Sequence, residues 1–209
     1  FTFMKKLFLI LALAIVGNVA MVAQENFECK NAKVSQGDMS SHVAPRKVGS
    51  EFGLSIAGVN VTSSNKNNIS FPGQTAGTVS YNSSTNVLTL NGVKATVTND
   101  RSFIHATNDI TIQVDGDNKI TQTGDSLIYL RGSNSVIQGT GTLDYDNSQD
   151  TYTGIAFLGT LTIQGGVFVI IHASYFGISG ENLVIDHSAF MVKGGTGDAS
   201  LKITSLTMN

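Results

Sequence analysis

The sequence predicts an all-β protein, a right-handed parallel β-helix with three strands per rung and about five rungs, capped at its N-terminal end by a pair of strands. Three observations carry that expectation. From residue 52 onward the apolar residues come in short alternating clusters of two or three, separated by Gly, Asn, Asp, Ser and Thr, and helical spacing is nowhere sustained. The clusters sort into three interleaved series of similar period. Gly is abundant at 22 residues against only 2 Pro, a turn-rich composition suited to many short strands.

Taken in order, residues 1–23 read as a signal peptide. Met4, Lys5 and Lys6 give a positive start, the run Leu7 to Val16 is apolar but short for a bilayer, and small residues follow as far as Ala23. This predicts export to the extracellular space, cell surface or periplasm, with no membrane span once the signal is cleaved. Residues 24–50 are polar and carry few apolar anchors, as expected of a linker. Cys29 is the only cysteine, so no intrachain disulfide is available and packing must supply the stability.

Residues 51–86 are expected to cap the helix. Phe52 to Thr62 and Gly77 to Tyr81 read as two strands joined by the polar loop Ser63 to Ala76, positioned to pair and to cover the first rung. Residues 87–209 form the repeat. The first series is Leu88 to Leu90, Ile110 to Ile112, Val136-Ile137, Leu161 to Ile163, Leu183 to Ile185 and Leu206 to Met208, with successive members 22 to 26 residues apart. The second is Val93 to Val97, Ile120, Leu143, Val167 to Val169 and Phe190 to Val192; the third is Ile104, Leu127 to Leu130, Ile155 to Phe157, Phe176 to Ile178 and Leu201 to Ile203.

Three strands per repeat match a rung that turns three corners before stacking on its predecessor. Alternation then sends Leu, Ile, Val and Phe into the bore while Thr and Gln face water. Gly92, Gly116, Gly132, Gly141, Gly166 and Gly180 fall between strands, where tight corners call for positive φ. A β-sandwich is the alternative, but it has no reason to echo LTLNG at Leu88 to Gly92 in LTIQG at Leu161 to Gly165. The final residues Ser205 to Asn209 start a further rung without a capping element, so a truncated C-terminus is expected.

The segment Ile110 to Ile120, GTGTL at Gly139 to Leu143, LTIQGG at Leu161 to Gly166 and the opening GTVSYNSSTNVLTLNG at Gly77 to Gly92 together resemble a family of secreted bacterial right-handed β-helix proteins labelled carbohydrate-binding. The resemblance covers roughly residues 52 to 209 and its motifs are structural. It implies a pectate-lyase-like solenoid, export, calcium sites and binding of a polysaccharide or surface glycan.

Candidate chemistry is sparse. Paired aspartates with Gly-His-Gly and Arg-x-Lys, which glycan hydrolysis on such a fold would use, do not occur. Asp115 and Asp117 are the candidate calcium ligands, with turn formation as their alternative role, and Asp144 and Asp146 form a second acidic pair. His42, His105, His172 and His187 lack metal-site spacing and read as solvent-facing strand or corner residues. With 13 basic against 15 acidic residues and only 13% charged, no basic face serves nucleic acid.

There is no Trp, so sugar stacking falls to tyrosine. Tyr145 and Tyr152 lie in the longest break in the repeat, Asp144 to Thr153, and are expected to contact glycan together with Asp144, Asp146 and Asn147. Tyr129 and Tyr175 are expected to pack within strands or corners. The resulting expectation is a secreted, non-catalytic carbohydrate-binding β-helix. A structural or adhesion module and a calcium-dependent polysaccharide lyase are the alternatives.

Overall fold

Short alternating clusters do form short strands, and the strands stack in parallel. The computed structural model describes residues 51–99, 101–147, 153–173, 176–193 and 201–209. In chain order the strands are β1 (Leu54–Ile56), β2 (Val59–Asn60), β3 (Gln74–Asn82), β4 (Val87–Thr98), β5 (Ile104–Ala106), β6 (Thr111–Asp115), β7 (Asp117–Thr123) and β8 (Ile128–Leu130). They continue as β9 (Asn134–Gly139), β10 (Thr142–Asn147), β11 (Ile155–Phe157), β12 (Thr160–Gln164), β13 (Phe168–Ala173), β14 (Ile178–Asp186), β15 (Ala189–Lys193) and β16 (Leu201–Met208). No helix occurs among the described residues. The product is a β-solenoid of about four turns.

Each sequence series becomes one face. On the first, Leu88, Ile112, Ile137, Ile163, Ile185 and Met208 stand in register across β4, β6, β9, β12, β14 and β16. On the second, Ala95, Ile120, Tyr145, Ile171 and Val192 align across β4, β7, β10, β13 and β15. The third stacks Ile56, Ile104, Ile128, Ile155, Ile178 and Leu201. All repeat-to-repeat pairings are parallel, which excludes the antiparallel layers of a sandwich.

Inward residues of these ladders are buried, most of them completely, except at the last rung, where Val192 and Leu201 are partly buried and Met208 is 68% exposed. Burying one such aliphatic side chain contributes about 1.5–3 kcal/mol, and the rows repeat that gain on each inner turn. Water-facing positions follow the same register. Gln113, Gln138 and Gln164 stack on the first face, with Gln138 Nε2 donating to Gln113 Oε1 at 3.2 Å and Gln164 Nε2 to Gln138 Oε1 at 3.0 Å.

The N-terminal cap differs in its pairing from the expectation. The two cap segments do not pair with each other. Residues Phe52 to Thr62 fold back on themselves as the β1–β2 hairpin, whose bend places Ala57 and Gly58 at φ 46° and 80°, and β1 runs antiparallel to β5. β3 instead runs antiparallel to β4. Each segment therefore covers a different face, and the Phe52 and Tyr81 rings meet at 5.3 Å between them.

The corner glycines also divide. Gly92, Gly116 and Gly166 have φ of 62°, 63° and 87°, as their turns require. Gly180 lies inside β14 and has another function: a Cβ there would sit 2.5 Å from the Phe157 ring, so its lack of a side chain makes room in the bore.

Candidate functional site

The three-residue strands of the third face alternate buried, half-buried, buried, so only the middle residue of each points outward. Register then lines up Ser55, His105, Tyr129, Ala156, Ser179 and Lys202 along the solenoid axis. Within that row the His105 and Tyr129 rings stack with centroids 5.5 Å apart and planes 10° apart. Adjacent parallel strands are about 4.8 Å apart, which is why two flat side chains in register stack.

This pair floors a groove of about 800 Å³ whose polar wall carries Asn99, Arg101, Ser102 and Asp125 from the corner between the second and third faces. The β1–β2 hairpin, with Ala57, Gly58 and Val59, makes the opposite rim. Tyr129 also borders a second cavity of about 500 Å³ that continues over Ala156, Leu158 and Gly180 to Lys202.

The polar wall is held from inside the bore. Gln122, only 1% exposed, donates Nε2 to the Arg101 carbonyl at 2.6 Å. On the next turn the Tyr145 hydroxyl and the Asn147 amide donate to the Asp125 carbonyl at 3.1 and 2.9 Å. The Asp125 carboxylate is fixed as well, Oδ2 accepting from Ser102 Oγ at 3.2 Å and Oδ1 from the Ser126 N–H at 2.6 Å. Asn99 accepts from the Arg101 N–H and donates to the Ala57 carbonyl, tying the corner to the hairpin. The Asn99 amide, the Asp125 carboxylate and the Arg101 main chain are thereby preorganised, so a ligand meets groups whose ordering cost is largely met.

Electrostatics favour an uncharged aromatic floor. Partial burial lowers the His105 pKa, the Arg131 and Arg101 guanidinium groups lower it further, and Asp125 alone opposes them. His105 is therefore neutral at pH 7 and offers a flat, polar-edged ring beside the phenol.

The residues expected to bind glycan lie elsewhere. Tyr145 and Asn147 belong to β10, where alternation turns both into the bore; Tyr145 is completely buried and Asn147 is 1% exposed. Neither presents a surface to a sugar, which corrects the expectation built on an insertion starting at Asp144. Asp144 and Asp146 are the outward partners on that strand, with Asp144 Oδ1 3.6 Å from His172 Nε2. Tyr152 lies outside the described residues. His105 and Tyr129, expected at ordinary strand positions, are the pair the fold brings together.

Asp115 and Asp117 flank the Gly116 corner. Asp115 Oδ1 accepts from Gln113 Nε2 at 2.7 Å, and the Lys94 ammonium donates to the Asp117 carbonyl at 2.7 Å. Calcium takes six to eight oxygen ligands, whereas here an ammonium already occupies an acceptor. Among the described residues no group of three or more His, Cys, Asp or Glu side chains converges on one point. This donor set does not fit calcium.

Fold and site together define a β-solenoid with a lateral aromatic groove. No family model, curated protein or solved structure matches the chain. No helix among the described residues is long and apolar enough to cross a membrane.

Proposed function

We propose that this chain is an exported, non-catalytic β-solenoid that binds carbohydrate in the groove over His105 and Tyr129. The single observation that carries the reading is the stacked, half-buried ring pair flanked by the held side chains of Asn99 and Asp125 and by Arg101. A sugar offers an apolar C–H face and a rim of hydroxyls; aromatic rings cover the first and planar amide, guanidinium and carboxylate groups bond the second. Both Asp125 carboxylate oxygens are already engaged, which favours a fixed acceptor over a proton carrier. The groove thus has the parts of a recognition site without a free acid and base pair.

The test is a glycan array probed with the folded chain and with Tyr129→Ala. Tyr129 points outward, so its truncation leaves the bore packed. Binding that falls at least tenfold in the variant supports the reading. A folded wild-type chain that binds no neutral or acidic glycan overturns it.

A further inference from the structure

The groove does not end at the ring pair. Tyr129 lines both cavities and Ala156 is its neighbour in register, so the 800 Å³ groove and the 500 Å³ trough lie next to one another along the third face. Their chemistries differ. On the hairpin side the wall carries Arg101, Asp125, Asn99 and Ser102, whereas past Tyr129 the outward row shrinks to Ala156 and Ser179. Leu158, at the corner after β11, is 46% exposed against this trough, and Phe157 and Ile203 border it. Charge returns only at the far rim, with Glu181 and Lys202.

We propose that the ligand is a sugar carrying an alkyl or acyl group, with its polar part over His105 and Tyr129 and its hydrocarbon part in the Ala156–Leu158 trough. The inference rests on the carbohydrate reading of the groove. A bare glycan has hydroxyls around its whole edge and gains little from Ala156 and Leu158, which offer them no hydrogen-bond partner. A hydrocarbon substituent instead covers the exposed leucine and gains from the same surface. The two recesses meet at Tyr129, and that adjacency is what assigns both parts to one ligand.

The experiment compares methyl and octyl β-glucoside, the latter kept below its micelle threshold, by calorimetric titration of the full chain. A fully buried methylene is worth roughly fourfold in affinity. Even four methylenes seated in the trough raise affinity on the order of a hundredfold. The expected result is a large preference for octyl over methyl that collapses in Ala156→Asp. If that variant does not fold, Leu158→Asp, at an exposed corner, replaces it.

Equal affinity for the two glucosides overturns the inference, as does an octyl preference that survives both substitutions. Glycans bound on the array without any octyl gain defeat this inference and leave the carbohydrate reading standing. No binding on the array defeats both.

Discussion

Truncating Tyr145 separates a core residue from a surface one by several kcal/mol. Its side chain is completely buried on the second face between Ile120 and Ile171, and its hydroxyl donates to the Asp125 carbonyl at 3.1 Å. Tyr145→Phe keeps the ring and deletes the hydrogen bond to the Asp125 carbonyl, which Asn147 Nδ2 still serves. The cost is therefore about 1 kcal/mol, or roughly 2–4 °C in Tm for a unit of this size. Tyr145→Ala removes the whole ring and leaves a cavity between two stacked isoleucines, for a loss of about 3–5 kcal/mol. A tyrosine on the surface would change stability by only about 0.5 kcal/mol in either direction. Urea unfolding followed by circular dichroism and by tyrosine fluorescence measures both variants. A Tyr145→Ala loss below about 1 kcal/mol would refute the burial, and with it the assignment of the outward face of β10 to Asp144 and Asp146.

Further expectations test the groove and its support. Because the His105 pKa is lowered from its ordinary 6.5, the unfolded chain takes up that proton first as pH falls. Stability should decline as pH drops from about 6.5, level off once the folded state is protonated too, and lose this component in His105→Gln, as read by melting curves between pH 7.5 and 5. Gly180→Ala forces a methyl to within 2.5 Å of the Phe157 ring, which is only 3% exposed. Overpacking of this kind costs about 1–3 kcal/mol, and an unchanged urea midpoint would show that the ring has room to move. Millimolar calcium should leave Tm unaltered, since Asp115 and Asp117 do not make up a calcium shell; a rise reversed by chelator would contradict that.

The ladder was legible because a solenoid repeats its constraints. Leu88, Ile112, Ile137, Ile163 and Ile185 recur at one rung position, and few architectures besides stacked turns bring back an apolar slot at a fixed period. The cap was less so: β1, β2 and β3 occur once each, and their partners are chosen by geometry at the first rung. Tyr145 and Asn147 were expected on the surface for a related reason. Asp144 to Asn147 looked like a break in the repeat because Tyr and Asn replaced aliphatic residues, yet the period-2 alternation runs through them unbroken, sending Tyr145 and Asn147 inward. The signal that finds the groove was available in the third series: His105 and Tyr129 occupy the same middle position of successive three-residue strands, so both had to face out and stack.

Several of the departures from an aliphatic bore lie behind the groove. A rung needs only Ile, Leu or Val at its inward positions, and a buried polar group there costs free energy unless it is bonded. Asn118 meets that condition locally, since it accepts from Val93 N–H and donates to the carbonyls of Asp115, Gly116 and Thr142 around its own corner. Gln122, Tyr145 and Asn147 do something different. They come from β7 and β10, and each donates to the main-chain carbonyl of Arg101 or Asp125, two corner residues that wall the groove. Aliphatic replacements would fill the same volume but would leave the corner unheld. These three inward residues and the aromatic pair outside thus converge on one pair of turns, whereas Asn118 serves its own corner and Ser135 is buried on the first face.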